Sequence, residues 1–143
     1  MKQAFTLSAT IVIITLIAVH ITTAQEPVKK YSNDKAKIEF ATKNFLLCLG
    51  TDNDGVVESA LRLTAEMKIL YPHADMTKLV SVMNSIKKNH RNGAIRYKAF
   101  VAVSICENPE WYAQLKENFS GNSDAFFRSA SEKMKEQLLT QVY

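Results

Sequence analysis

The chain has 143 residues, 18 of them Lys or Arg and 14 Asp or Glu, a mildly basic and evenly mixed balance that offers nucleic acid no stripe of cations. Four glycines, three prolines and long stretches of Ala, Leu, Lys and Glu favour helix. Beyond the first two dozen residues no alternating apolar and polar run reads as a strand.

Residues 1–24 predict a secretory signal peptide. Lys2 supplies the positive start, and the run from Ala4 to Val19 is almost wholly apolar or small. Thr22, Thr23 and Ala24 then put small side chains where a signal peptidase would cut, before Gln25. The alternative is an uncleaved membrane anchor, but the run is shorter than the roughly 20 residues of a bilayer span, and His20 interrupts it. Cleavage leaves 119 residues with 17 Lys and Arg, because Lys2 departs, against 14 Asp and Glu. That is enough for one domain with its own core. Export implies the periplasm or the cell exterior, with a membrane met only through an uncleaved signal segment.

Residues 25–33 read as a polar, flexible lead-in. From Asp34 a first helix sets Ile38, Ala41, Phe45 and Cys48 on one face. Residues 50–55 break it, and Asp52, Asn53 or Asp54 stands where it can cap a second helix that Pro72 stops near Tyr71. A third helix from about Asp75 carries Met76, Leu79, Met83 and Ile86 inward. The fourth runs from about Gly93 to Glu107 and ends at Asn108 and Pro109. A shorter fifth holds Trp111, Tyr112 and Leu115. The last, roughly Ser123 to Thr140, presents Phe126, Phe127, Ala130, Met134 and Leu138.

The second and fourth helices share one pattern at an offset of 39 residues. Val56, Ala60, Leu63, Thr64 and Met67 become Ile95, Ala99, Ala102, Val103 and Cys106. The first and third helices match at an offset of 38, and the loop at residues 89–93 absorbs the extra residue. The repeating unit is therefore a helix hairpin, with units at about 34–72 and 73–109 and a more polar cap over 110–143. The expected fold is all-α: stacked antiparallel helix hairpins forming a short α-solenoid.

The segments from Asn53 to Leu61 and from Asn92 to Phe100 resemble the starts of second helices in HEAT-like repeats. Such helices carry an aliphatic residue, Ala four positions later, and then a further apolar pair. The resemblance covers residues 34–109 and extends to small exported bacterial proteins built from such units. It implies a right-handed superhelix of paired helices that binds another protein. With two units and a cap, a compact domain is expected in place of a broad groove.

No catalytic set is visible, and no cofactor is implied. His73 and His90 have no second His, Cys or carboxylate at a spacing suited to zinc. Neither a phosphate loop nor a nucleophile elbow occurs. Asp52, Asp54 and Gly55 suggest a calcium loop, but its first and twelfth positions would be Gly50 and Leu61, so helix capping is the better reading and no metal is expected. Cys48 and Cys106 lie near the ends of the first and fourth helices, which alternate in direction. Helix rise puts such ends roughly 20 Å apart, whereas a disulfide needs about 7 Å or less. Free thiols are expected.

Two surfaces could meet a partner. The outward face of the second helices carries Glu58, Arg62 and Glu66, with Tyr97, Val101 and Ile105 at the equivalent positions. An exposed Tyr-Val-Ile stripe would mark an interface, unless Val101 and Ile105 pack on the cap. The loop cluster Lys87, Lys88, His90 and Arg91 is either simply solvated or meets an anionic partner. The function expected is a non-enzymatic, exported protein-binding scaffold or adaptor. The alternative is a helical carrier of an apolar small ligand, with Met67, Met76, Met83 and Met134 as adaptable lining.

Overall fold

A computed structural model describes residues 34–119 and 122–140. The signal peptide and the lead-in expected over residues 1–33 lie outside the described residues. Among those, the chain is all-helical: α1 (Asp34–Leu49), α2 (Asp54–Leu70), α3 (Thr77–Asn89), α4 (Gly93–Glu107), a 3-10 segment (Pro109–Asn118) and α5 (Ser123–Thr140).

Asparagine starts three of these helices. The Asn53 side chain accepts from the backbone N–H of Gly55 and Val56, at 3.0 and 3.3 Å. Asn92 accepts from Ala94 at 2.9 Å, and Asn122 from Asp124 and Ala125 at 2.9 and 3.2 Å. Each satisfies donors that the first helical turn leaves free. Asn53 and Asn92 stand 39 residues apart, so the cap belongs to the repeat. At α3 the sequence points to a start near Asp75, two residues early. Asp75 instead accepts from the Thr77 N–H and hydroxyl, at 2.9 and 2.7 Å, which holds the chain in a turn before the helix begins. The expected fifth helix is a 3-10 segment that opens on Pro109.

Packing follows the helix pairs. α1 lies on α2 and α3 on α4, while α1 also contacts α3 and α2 contacts α4. The C-terminal elements depart from the expected closing unit. The 3-10 segment and α5 pack on each other and on both α2 and α4, with no comparable contact to α1 or α3. They form a third layer across the second helices and do not extend the row of hairpins. The reason is apolar demand: Tyr112, Leu115, Phe126 and Phe127 are all buried, and burying large side chains is the main favourable term in folding. α4 answers that demand with a wide apolar face, burying Ile95, Ala99, Val101, Ala102, Val103, Ile105 and Cys106, while Arg96, Tyr97, Lys98 and Glu107 keep one side polar.

The repeat survives in the core at Ala60 and Ala99, Thr64 and Val103, and Met67 and Cys106, all buried. It fails at Leu63, which is exposed while Ala102 is buried. α2 buries Leu61, and a residue two positions further along a helix points to nearly the opposite side. Thr64 has a cost of its own. Its side chain is fully buried, and Oγ1 has no hydrogen-bond partner among the described residues. The equivalent Val103 supplies the same shape without the hydroxyl. Thr64→Val should therefore raise stability by about 1 kcal/mol, since an unsatisfied buried hydroxyl is lost. The urea midpoint should rise at unchanged m-value, and a lower midpoint would contradict the assignment.

Candidate functional site

The proposed face of the second helices is taken up by the chain itself. Val101 and Ile105 are both 0% exposed, on a helix that packs against α2, α3, α5 and the 3-10 segment, so they present no apolar stripe to a partner. Arg62 and Glu66 form a half-buried ion pair along α2, Nη1 to Oε1 at 3.0 Å. Burial pushes the Glu66 carboxyl above its ordinary range, and the Arg62 charge offsets only part of that. Glu58 accepts a 2.9 Å contact from Lys98 Nζ, which also donates to Asp124 at 2.6 Å, so one lysine ties α2, α4 and α5. Burial works against the Lys98 charge, but the bonds from Asp124 and Glu58 outweigh it and hold its pKa above the ordinary value. Tyr97 alone of the six remains half-exposed, with its hydroxyl bonded to Ser131 Oγ at 2.9 Å.

The basic loop is likewise turned inward in part. Arg91 donates to the Asp52 carbonyl at 3.3 Å and stands 3.6 Å from Asp54 Oδ1, while His90 Nε2 lies 3.8 Å from the same oxygen. Asn92 Nδ2 donates to Asp54 Oδ2 at 2.6 Å, and Arg96 donates to the His90 carbonyl at 2.6 Å. His90 Nδ1 accepts from the Asn92 N–H at 3.1 Å. These bonds clamp the start of α2 to the α3–α4 loop, and of Lys87, Lys88, His90 and Arg91 only Lys88 and Arg91 are exposed. The Asn92 hydrogen bond, together with the charges of Arg91 and His90, holds Asp54 below the ordinary carboxylate range against the opposing effect of burial.

Asp75 and Asp124 are lowered as well, chiefly by the bonds from Thr77 and from Lys98. A carboxylate depressed in the folded state contributes stability above its unfolded pKa and loses it as pH falls through the folded value. Stability should thus decline on acidification below about pH 4, and Asp54→Asn should flatten that decline in urea melts run from pH 5 to pH 2. Glu66, raised on folding, acts with the opposite sign. An unchanged acid slope in the variant would remove Asp54 from this account.

Both cysteines are free. Burial pushes the Cys106 thiol up to about 12, so it stays protonated at neutral pH and is no nucleophile. Among the described residues no group of three His, Cys, Asp or Glu side chains is placed to hold a metal ion. No helix among them is long and apolar enough to cross a membrane.

The open concavities lie elsewhere. A cleft of about 840 Å³ runs between α1 and the α2–α3 connection. Its existence follows from local structure. α1 buries only Leu49 completely, so much of its inner side is just partly covered. Opposite it, Pro72 stops α2 and the Asp75 turn delays α3, so the facing wall is the irregular connection between them. That connection is held in place by Lys68 Nζ, which donates to the Ala74 carbonyl at 2.9 Å, and by the Ala74 N–H, which donates to the Tyr71 carbonyl at 3.0 Å. Ile38 and Leu46 line the α1 wall, and Leu70, Tyr71, Pro72 and Ala74 the other. A second groove of about 670 Å³ separates α4 from α5, with Tyr97, Phe127, Met134, Leu138 and Leu139 along it.

Met67, Met76 and Met83 are core residues and line neither concavity, contrary to the role foreseen for them in a carrier; only Met134 reaches a groove. Leu46 and Leu70 are apolar residues outside the inward faces read from the repeat, but so are the buried Val57, Leu61 and Ile69, so that signal alone did not mark the cleft. Comparison with protein-family models, curated proteins and solved structures finds no match to this chain.

Proposed function

We propose that the protein is an exported, non-enzymatic helical binding protein built on two HEAT-like hairpins, and that its ligand site is the cleft between α1 and the α2–α3 connection. The observation that carries this reading is the cleft itself: about 840 Å³, within the 300–1,000 Å³ usual for small-molecule sites, with apolar walls and charge confined to the rim. The paired Asn53 and Asn92 caps and the contacts of α1 with α3 and of α2 with α4 support the HEAT-like reading. Lys2, the apolar run to Val19 and the small residues before Gln25 support export.

Titration with the neutral fluorophore N-phenyl-1-naphthylamine tests the site. Saturable enhancement is expected, weakened at least tenfold by Leu70→Glu, whose side chain is half-exposed and so tolerates replacement. Leu139→Glu in the other groove should leave it unchanged. Equal binding by wild type and Leu70→Glu would remove the cleft from consideration.

A second reading, the protein-binding adaptor, is favoured by the α4–α5 groove, where Tyr97, Leu138 and Leu139 are each about half exposed. On that reading Leu139→Glu abolishes recovery of a protein partner from secreted or envelope extract and leaves cleft binding intact.

A further inference from the structure

We infer that the cleft takes an anionic amphiphile, a medium-to-long alkyl chain ending in a carboxylate. The inference rests on the cleft being the ligand site, and it adds the chemistry of the ligand. α1 lays two parallel rows along the cleft, each at four-residue spacing and so each on one side of the helix. Ile38, Thr42 and Leu46 form the inner row, and Lys35, Glu39 and Lys43 the rim. From Lys35 to Leu46 the helix rises about 16 Å at 1.5 Å per residue, a wall long enough to lie along an extended chain.

Across the trough, Lys78 on the first turn of α3 brings a third ammonium to the rim. Three lysines thus face two carboxylates. Asp75 accepts two hydrogen bonds from Thr77 and feels the charges of Lys68 and Lys78, so it offsets Lys78. Glu39 sits between Lys35 and Lys43, one turn from each, where it can balance only one of them. The remaining cationic charge stands beside an apolar trough, so a carboxylate head satisfies the rim while its chain covers Ile38, Leu46, Leu70 and Pro72. A neutral alcohol of the same length covers the walls and leaves the rim unmatched, and a quaternary ammonium is repelled.

Displacement of N-phenyl-1-naphthylamine from the purified protein at low salt, below micelle concentrations, compares dodecanoate, dodecanol and dodecyltrimethylammonium. Dodecanoate should displace the probe at least tenfold more tightly than dodecanol, and the ammonium least well. The double variant Lys43→Gln, Lys78→Gln, at two exposed positions, should erase most of the dodecanoate advantage without changing dodecanol. Equal displacement by dodecanoate and dodecanol overturns the head-group assignment and leaves the cleft as a binding site. A dodecanoate preference that persists in the double variant also overturns it. Probe binding that no chain displaces and Leu70→Glu does not weaken overturns the cleft itself.

Discussion

Tyr112→Ala is expected to lower the unfolding free energy by about 3–5 kcal/mol, the usual cost of removing a large buried aromatic ring. Tyr112 is 0% exposed and anchors the 3-10 segment to α4, with its hydroxyl 2.7 Å from Ser104 Oγ. Domains of this size are stable by only about 5–15 kcal/mol, so the variant should keep a small part of that margin and unfold at much lower urea. Tyr112→Phe separates ring from hydroxyl: it keeps the packing and forfeits one hydrogen bond, for about 1 kcal/mol. Burial raises the Tyr112 phenol above its ordinary pKa, with the Ser104 bond opposing. An acid whose folded pKa is raised contributes stability below the unfolded value and loses it as pH climbs through the folded one. Wild-type stability should therefore fall above about pH 10, and the Phe variant should lack that component. A Tyr112→Ala loss below about 1 kcal/mol would mean that the C-terminal layer does not dock as described.

Ile105→Glu should be the more damaging of a diagnostic pair with Tyr97→Glu. Both positions lie on the face once expected to meet a partner, and they differ in what covers them. Ile105 is 0% exposed, so a glutamate there leaves a carboxylate buried without a partner or displaces the C-terminal layer, at a cost above about 3 kcal/mol. Tyr97 is 50% exposed, and its replacement forfeits a surface hydrogen bond to Ser131 and partial packing, about 1 kcal/mol or less. Urea melts of the two variants read the contrast directly. Similar melts for both would restore the outward face as a free surface.

Helix limits were legible because they are set locally. Gly93, Glu107, Ser123 and Thr140 bound their helices where the residues predict, since Asn caps and Pro109 act on their own turn. The start of α3 was misplaced because Asp75 spends its carboxylate on a turn rather than on a cap, a choice between two local hydrogen bonds that differ little in energy. The basic loop read as open charge because Asp54, 36 residues before His90 in sequence, meets it only in the fold. The cleft left a fainter trace, surplus apolar residues at Leu46 and Leu70, which nothing in the one-dimensional pattern assigns to a common wall.

By itself the order of residues determined that the described part of this protein is helical, where most helices begin and end, and several of the matching core positions of the two hairpins. Those properties arise from caps, proline stops and 3.6-residue periodicity, interactions that span a few residues each. Only the tertiary structure decided that the C-terminal layer packs on α2 and α4, that Val101 and Ile105 are buried, and that apolar concavities open beside α1 and between α4 and α5. An apolar helix face records that it must be covered, while the identity of the cover depends on which distant segments carry enough apolar surface to compete for it.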